Sequence, residues 1–513
     1  MWKLPSITPR SGRVLIALLL CIKLVLLVWN AAVFDGRTDD ADYHAERALS
    51  GGLKPSATGY DPPLYYLPAL LAKRAVDAAL PEHGSEPNAG PVAALSRRER
   101  ATPAARAERA FRERLLTLLR YSNVAWLGLF YVAWIGYAFP RLLGGFQGWF
   151  LASLLLLALP GYQKLAVMSH PDNAFAGCAA LAICAWLFVR ERWQRSATPP
   201  ASVEADAAAP RTAYGAKPLF GFALAIGLLA LTRPFAVVPV AVLALVAVVY
   251  ALRLSGARLR ELLPRLALIL ALVIGSTTSW YVYRWKSCGE PTRIFPAPDR
   301  APVGQSPSNV SFREYYATFK VRDLVDPPTR KPARRGRAAL VEAPSTSSFF
   351  TVLYSEIWGD QWLYFSGARQ RDVKGWPKRL SMACALLVPP IVAGLGGLVL
   401  WDLFRRARDE LRRLSGRRRG QVLLELAATF EQELVLLTIA GLGAALFVYW
   451  QAGPALLPDE SSSLKFIHIA TLFPPLLALA FARRMERDSF SLLAGYFLLV
   501  YIAAFPLAMY WPS

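Results

Sequence analysis

"VLIALLLCIKLVLLVW", residues 14–29, is a run of apolar side chains that, wound as a helix, nearly matches the thickness of the hydrocarbon core of a bilayer. Lys3, Arg10 and Arg13 precede it and no convincing cleavage site follows, so an uncleaved anchor is expected rather than a removed signal. The same kind of run recurs along the chain. Of its 513 residues 55% are hydrophobic, and they gather into stretches instead of spreading at helical or strand period. Backbone inside lipid has to satisfy its own hydrogen bonds, and these stretches are too long and too uniformly apolar for barrel strands. The expected class is therefore all-α, a polytopic bundle of transmembrane helices.

About eleven spans are expected, near 13–34, 115–138, 147–160, 174–189, 218–232, 234–252, 265–285, 379–402, 431–450, 466–482 and 490–511. Parity checks the count, because short loops rich in Lys and Arg belong on the cytoplasmic side. With the N-terminus inside, "RERWQR" (190–195), Arg253, Arg258 and Arg260, "RRARDELRRLSGRRR" (405–419) and "RRMER" (483–487) all fall there. The short outward segments, 161–173 and 451–465, carry only Lys164 and Lys465. To keep that parity, "PPLYYLPALLAKRAVDAAL" (62–80) is read as an amphipathic helix in the outer interface, with Lys73, Arg74 and Asp77 toward water. The organisation that results has an N-terminal transmembrane module, 1–285, containing an external loop at 35–114. A second external loop, 286–378, and a C-terminal transmembrane module, 379–513, follow.

The formal net charge of +22 lies mostly in arginine clusters beside apolar runs, where it orients the protein in the membrane and implies no nucleic-acid partner. "DPPTRKPARRGR" (326–337) reads as a flexible loop, with contact to the headgroups of membrane lipids or to an anionic acceptor as the alternative. Cys21, Cys178, Cys184 and Cys384 fall inside apolar runs, Cys288 does not, and no disulfide framework or zinc spacing is visible.

Four polar stretches break this pattern. "RTDDADYH" (37–44) follows the first span, "SHPDNAF" (169–175) enters the fourth, "YSEIWGDQWLYF" (354–365) precedes the eighth, and "PDESSSLKFIHIATLFPP" (458–475) opens the tenth. Each has a bland explanation: a solvated loop, a helix cap by Asp172 or Asn173, an aromatic belt, a snorkelling Lys465. All four converge on the outer face, however, while the spans are almost free of charge. That pattern suits an active site at the membrane surface, acting on an amphiphile whose tail stays in lipid.

The order of these features resembles the GT-C branch of integral-membrane glycosyltransferases, which includes the protein O-mannosyltransferases and the lipid A aminoarabinose transferase. The acidic pair Asp39-Asp40, the "PPLYY" segment with Tyr65, the "SHPDNAF" stretch with His170 and Asp172, and the Lys465 to Pro475 segment are similar to motifs of that family. The resemblance implies a GT-C fold and a sugar donor linked to polyprenyl phosphate, used at the outer face of the plasma (inner) membrane. It implies Asp39 as the base that takes the acceptor's proton and Asp40 as its orienting partner, with Lys465, His468 and Arg233 as candidates for the phosphate. No cofactor is required, although paired carboxylates can bind a divalent metal. The acceptor is left open among lipid, protein and glycan. A polytopic lipid or solute transporter is the alternative, and it calls for ionisable groups near the midplane and repeat symmetry.

The topology has a direct test in a cysteine-free background. Membrane-impermeant thiol reagents should label Arg330→Cys in intact cells and spare Ser415→Cys, and the opposite result overturns the parity argument.

Overall fold

The computed structural model describes residues 7–33, 63–68, 103–167, 170–197, 216–233, 236–253, 376–413, 473–482 and 485–508, together with isolated positions at 70, 71, 74, 471 and between 264 and 286. Every regular element among them is helical. Helix α1, Pro9–Val33, starts on a reciprocal cap: the Ser11 amide donates to the Thr8 hydroxyl at 3.2 Å and the Thr8 amide donates to the Ser11 hydroxyl at 3.0 Å. Pro9 at the first helical position loses no hydrogen bond, since its nitrogen would have had no helical partner.

Helix α2, Pro103–Tyr131, widens into a π-helical turn, Val132–Ala138, and closes with Phe139–Leu142. Gly144, at φ 58°, turns the chain into α3, Phe146–Ala158. Leu159 is extended because Pro160 follows it, and a residue before proline is pushed out of the helical region. The helix breaks there and resumes as α4, Gly161–Val167, bent by 55°. Helix α5 is Asp172–Ala197, α6 Ala216–Ala230, α7 Val237–Arg253, α8 Trp376–Arg413, α9 Phe473–Ala480 and α10 Arg487–Ala508. Pro9–Val33, Glu113–Leu142 and Asp172–Gln194 are long and apolar enough to cross a membrane, and α3 with α4 makes a fourth if the bent pair counts as one span.

Side-chain contacts fix the direction of the helices. Leu119 clusters with Ala174, Trp126 lies against Gly177, the Cys184 thiol reaches the Ala133 carbonyl and Arg141 pairs with Glu191 at 2.8 Å. Helices α2 and α5 therefore run in the same direction. So do α1 and α3, from Gly12 at the Phe146 ring to Lys23 at the Leu159 carbonyl. Helix α10 joins them, with Phe490 on Phe150 and the Tyr501 hydroxyl donating to the Leu19 carbonyl at 3.3 Å. Helix α6 runs against α5, pairing Phe222 with Trp186 and Arg233 with Asp172.

The bundle thus has an upper end, where α1 finishes and α5 begins, and a lower end, where α1 starts. The lower end gathers the exit of α5 through Arg190 and Arg192, the exit of α7 at Tyr250, stacked on Trp193, and Phe481, whose carbonyl abuts Gly148. Arginine-rich segments that parity groups on one side, those after α5, after α7 and before α10, accordingly leave from one end.

Several expectations are refined. The outward segment 161–173 is no open loop, because α4 occupies much of it and Tyr162, Leu165 and Ala166 are buried. The helix of the second span already begins at Pro103, inside the segment read as the external loop. Pro63–Tyr66 is a 3₁₀ turn and helical positions follow at 67, 68, 70, 71 and 74, with Tyr65, Tyr66 and Leu70 buried and Leu71 and Arg74 exposed. The spans are also less free of charge than expected, since Lys23 lies buried in the middle of α1.

Gly148 is one of the two tightest approaches, with Gly12, and a Cβ there would collide with the Phe481 backbone, which cannot swing away as the Phe146 side chain at Gly12 can. Gly148→Ala should destabilise the protein by ~1–3 kcal/mol, read as a lower unfolding temperature in detergent. Gly221→Ala, at a position with open space, is the control and should change little.

Candidate functional site

The upper end collects nearly all of the buried polar side chains among the described residues. Asn30, Arg120, Asn123, Gln163, His170, Asp172, Asn173, Thr232 and Arg233 lie there, and Ser153 is on the body of α3. Two prolines set the frame. Pro171 precedes the first residue of α5, and Pro234 follows Arg233 where the chain has left α6, so Asp172 and Arg233 both sit at helix ends.

Those two residues form a buried ion pair. Nε of Arg233 lies 2.5 Å from Oδ1 of Asp172, and its Nη2 donates to Oδ2 at 3.5 Å. Nδ1 of His170 is 3.2 Å from the same Oδ2. The Asp172 carboxylate thus lies within contact distance of both Arg233 and His170. Side-chain exposure rises from 0% at Asp172 to 8% at Arg233 and 10% at His170. Asp172 is thus the internal anchor of the cluster.

Asn173 has a different task. Its side-chain amide donates to the Leu165 carbonyl at 3.0 Å and to the His170 carbonyl at 3.2 Å, closing the end of α4 onto the start of α5. Asn173 thus serves the last turn of α4 by donating to its carbonyl, and Asp172 belongs to the ion pair. Tyr65 meets Tyr66 edge-on at 5.0 Å between centroids and packs in a cluster with Leu115, Leu119 and Ala174, so the "PPLYY" turn docks one residue from Asn173.

Tyr65, His170, Asp172 and Arg233 are therefore brought to one end of the bundle, three of them in direct contact. Asp39, Asp40, Lys465 and His468 lie outside the described residues. Arg120, Asn123, Gln163 and Lys23 were missed from sequence; Lys23 is a lone polar residue within an apolar run, whereas Arg120 and Asn123 share the stretch "RYSN" (120–123) and Gln163 adjoins Lys164. Among the described residues no group of three or more His, Cys, Asp or Glu side chains converges as a metal set would. Comparison with protein-family models, curated proteins and solved structures finds no match.

Removing one partner of a buried ion pair leaves the other charged and unsolvated, typically at a cost of ~3–5 kcal/mol. Asp172→Asn should lower the unfolding temperature accordingly, and adding Arg233→Met should recover much of the loss. A double variant no more stable than Asp172→Asn shows that the two sites are not coupled.

Proposed function

We propose that the chain is a membrane glycosyltransferase that moves a sugar from a polyprenyl-phosphate donor to an acceptor hydroxyl at the outer face of the plasma (inner) membrane. The observation that carries this reading is the His170–Asp172–Arg233 cluster, built from two separate segments at the end of the bundle toward which α1 runs. Asp39 follows Val33 by six residues, a tether that no conformation stretches beyond about 20 Å. A multi-pass bundle of about eleven spans of GT-C type, with the upper end outward and the arginine-rich lower end in the cytoplasm, accounts for both.

The step balances with the groups assigned. Asp39 takes the proton of the acceptor hydroxyl, whose oxygen bonds to the anomeric carbon as the bond from that carbon to the phosphate oxygen breaks. The lipid phosphate leaves with the electron pair, and Lys465 with His468 meets its charge. Asp40 orients the acceptor. Arg233, offset by Asp172, holds the wall of the site, His170 meets the sugar, and the buried Tyr65 supports the turn docked beside Asn173.

A lipid or solute transporter draws support from one observation, the Lys23 ammonium buried inside α1 beside a broken helix. It requires the lipid to move with no bond cleaved.

Mass spectrometry of polyprenyl-phosphate sugars incubated with the purified protein separates the two, since only the transferase consumes donor. Asp39→Asn should lower turnover ~10²- to 10⁴-fold with insertion intact. Lys465→Met should weaken donor binding by ~1.5–3 kcal/mol, about 10- to 150-fold, and leave neutral lipids unaffected. Equal donor affinity in wild type and Lys465→Met removes Lys465 from the site.

A further inference from the structure

Lys23 has a place in the bundle that the proposed reaction does not use. It is 3% exposed, sits in the apolar run of α1 and donates from Nζ to the Leu159 carbonyl at 3.4 Å. That carbonyl belongs to the cap of α3, at the break before Pro160. The last carbonyls of a helix lack internal partners and carry the negative end of its dipole, so an ammonium is the complementary group there. Beyond the break, the Gln163 amide donates to the Pro160 carbonyl at 2.9 Å and opens α4. At the far end of α4 the Leu165 carbonyl is held by Asn173, the neighbour of Asp172.

We infer that Lys23 is a positioning residue that fixes the break between α3 and α4 and, through the seven residues of α4, sets His170 and Asp172 opposite Arg233. It touches no part of the cluster and acts through a contiguous chain of backbone caps: Lys23 on Leu159, α4, then Asn173 on Leu165. The inference is independent of which reaction the site performs. Without the ammonium the bend has no cation at its carbonyl, and the unit from 161 to 175 opens locally while α6 and α7, which pack on α5, keep their own contacts.

Lys23→Met suits the test because it keeps the length of the side chain, removes the donor and makes α1 more apolar, so membrane insertion is not impaired. Hydrogen exchange followed by mass spectrometry in detergent should show amides of 161–175 exchanging roughly 10- to 150-fold faster than in wild type, the range expected on losing a hydrogen bond to a charged group. Amides of α6 and α7 should be unchanged, and Lys23→Arg, which retains charge and donors, should restore slow exchange. Unchanged exchange at 161–175 overturns the inference. A uniform rise over all helices also overturns it, since it makes Lys23 a contributor to general stability only. If the Met variant does not fold, Lys23→Gln is read by the same criterion.

Discussion

A carbonyl at the end of a helix cannot be left open inside an apolar bundle, and much of this structure follows from where such carbonyls arise. In lipid no water answers them, so a break in a helix is tolerated only where another part of the chain supplies a donor. The fold meets this need repeatedly with side chains from neighbouring helices. Lys23 answers Leu159, and Asn173 answers Leu165 and His170. In the π-helical turn of α2, the Trp149 indole donates to the Ile135 carbonyl at 2.8 Å and the Cys184 thiol to that of Ala133. Each contact ties one helix to the irregular part of another, so the irregularities serve as joints of the bundle.

The same constraint explains which parts of the architecture were legible in the sequence. A span must be apolar along its whole length, so the apolar runs at α1, α2, α5 and α6 were visible as runs. Pro160 was visible too, but it was taken for the end of a span because a proline marks a break without saying whether a helix resumes. Lys23 escaped notice because one polar residue hardly lowers the average of an apolar stretch, and Gln163 because it falls in the segment read as lying outside the spans; the meaning of each depends on the neighbour it meets. No local pattern marks the π-helical turn, which depends on donors 14 and 51 residues away.

The candidate site was legible in pieces. His170 and Asp172 share one short motif, whereas the pairing of Asp172 with Arg233 spans 61 residues and follows only from the antiparallel packing of α5 and α6. Once formed, that pair changes the meaning of its members. An arginine whose charge is offset by a buried carboxylate is a poor grip for a phosphate, and a carboxylate receiving a guanidinium on both oxygens is a poor base.

The bond from Tyr501 to the Leu19 carbonyl joins residues 482 positions apart and has a consequence for biosynthesis. At a synthesis rate of 5–20 residues per second, α1 waits in the membrane for about 25–100 s before α10 exists to cover it. During that interval the faces of α1 and α3 that α10 will occupy are in contact with lipid or with the insertion machinery. A chain stalled before residue 487 should therefore hold α1 without the helix that covers its Leu19 face, and α10 closes that part of the bundle.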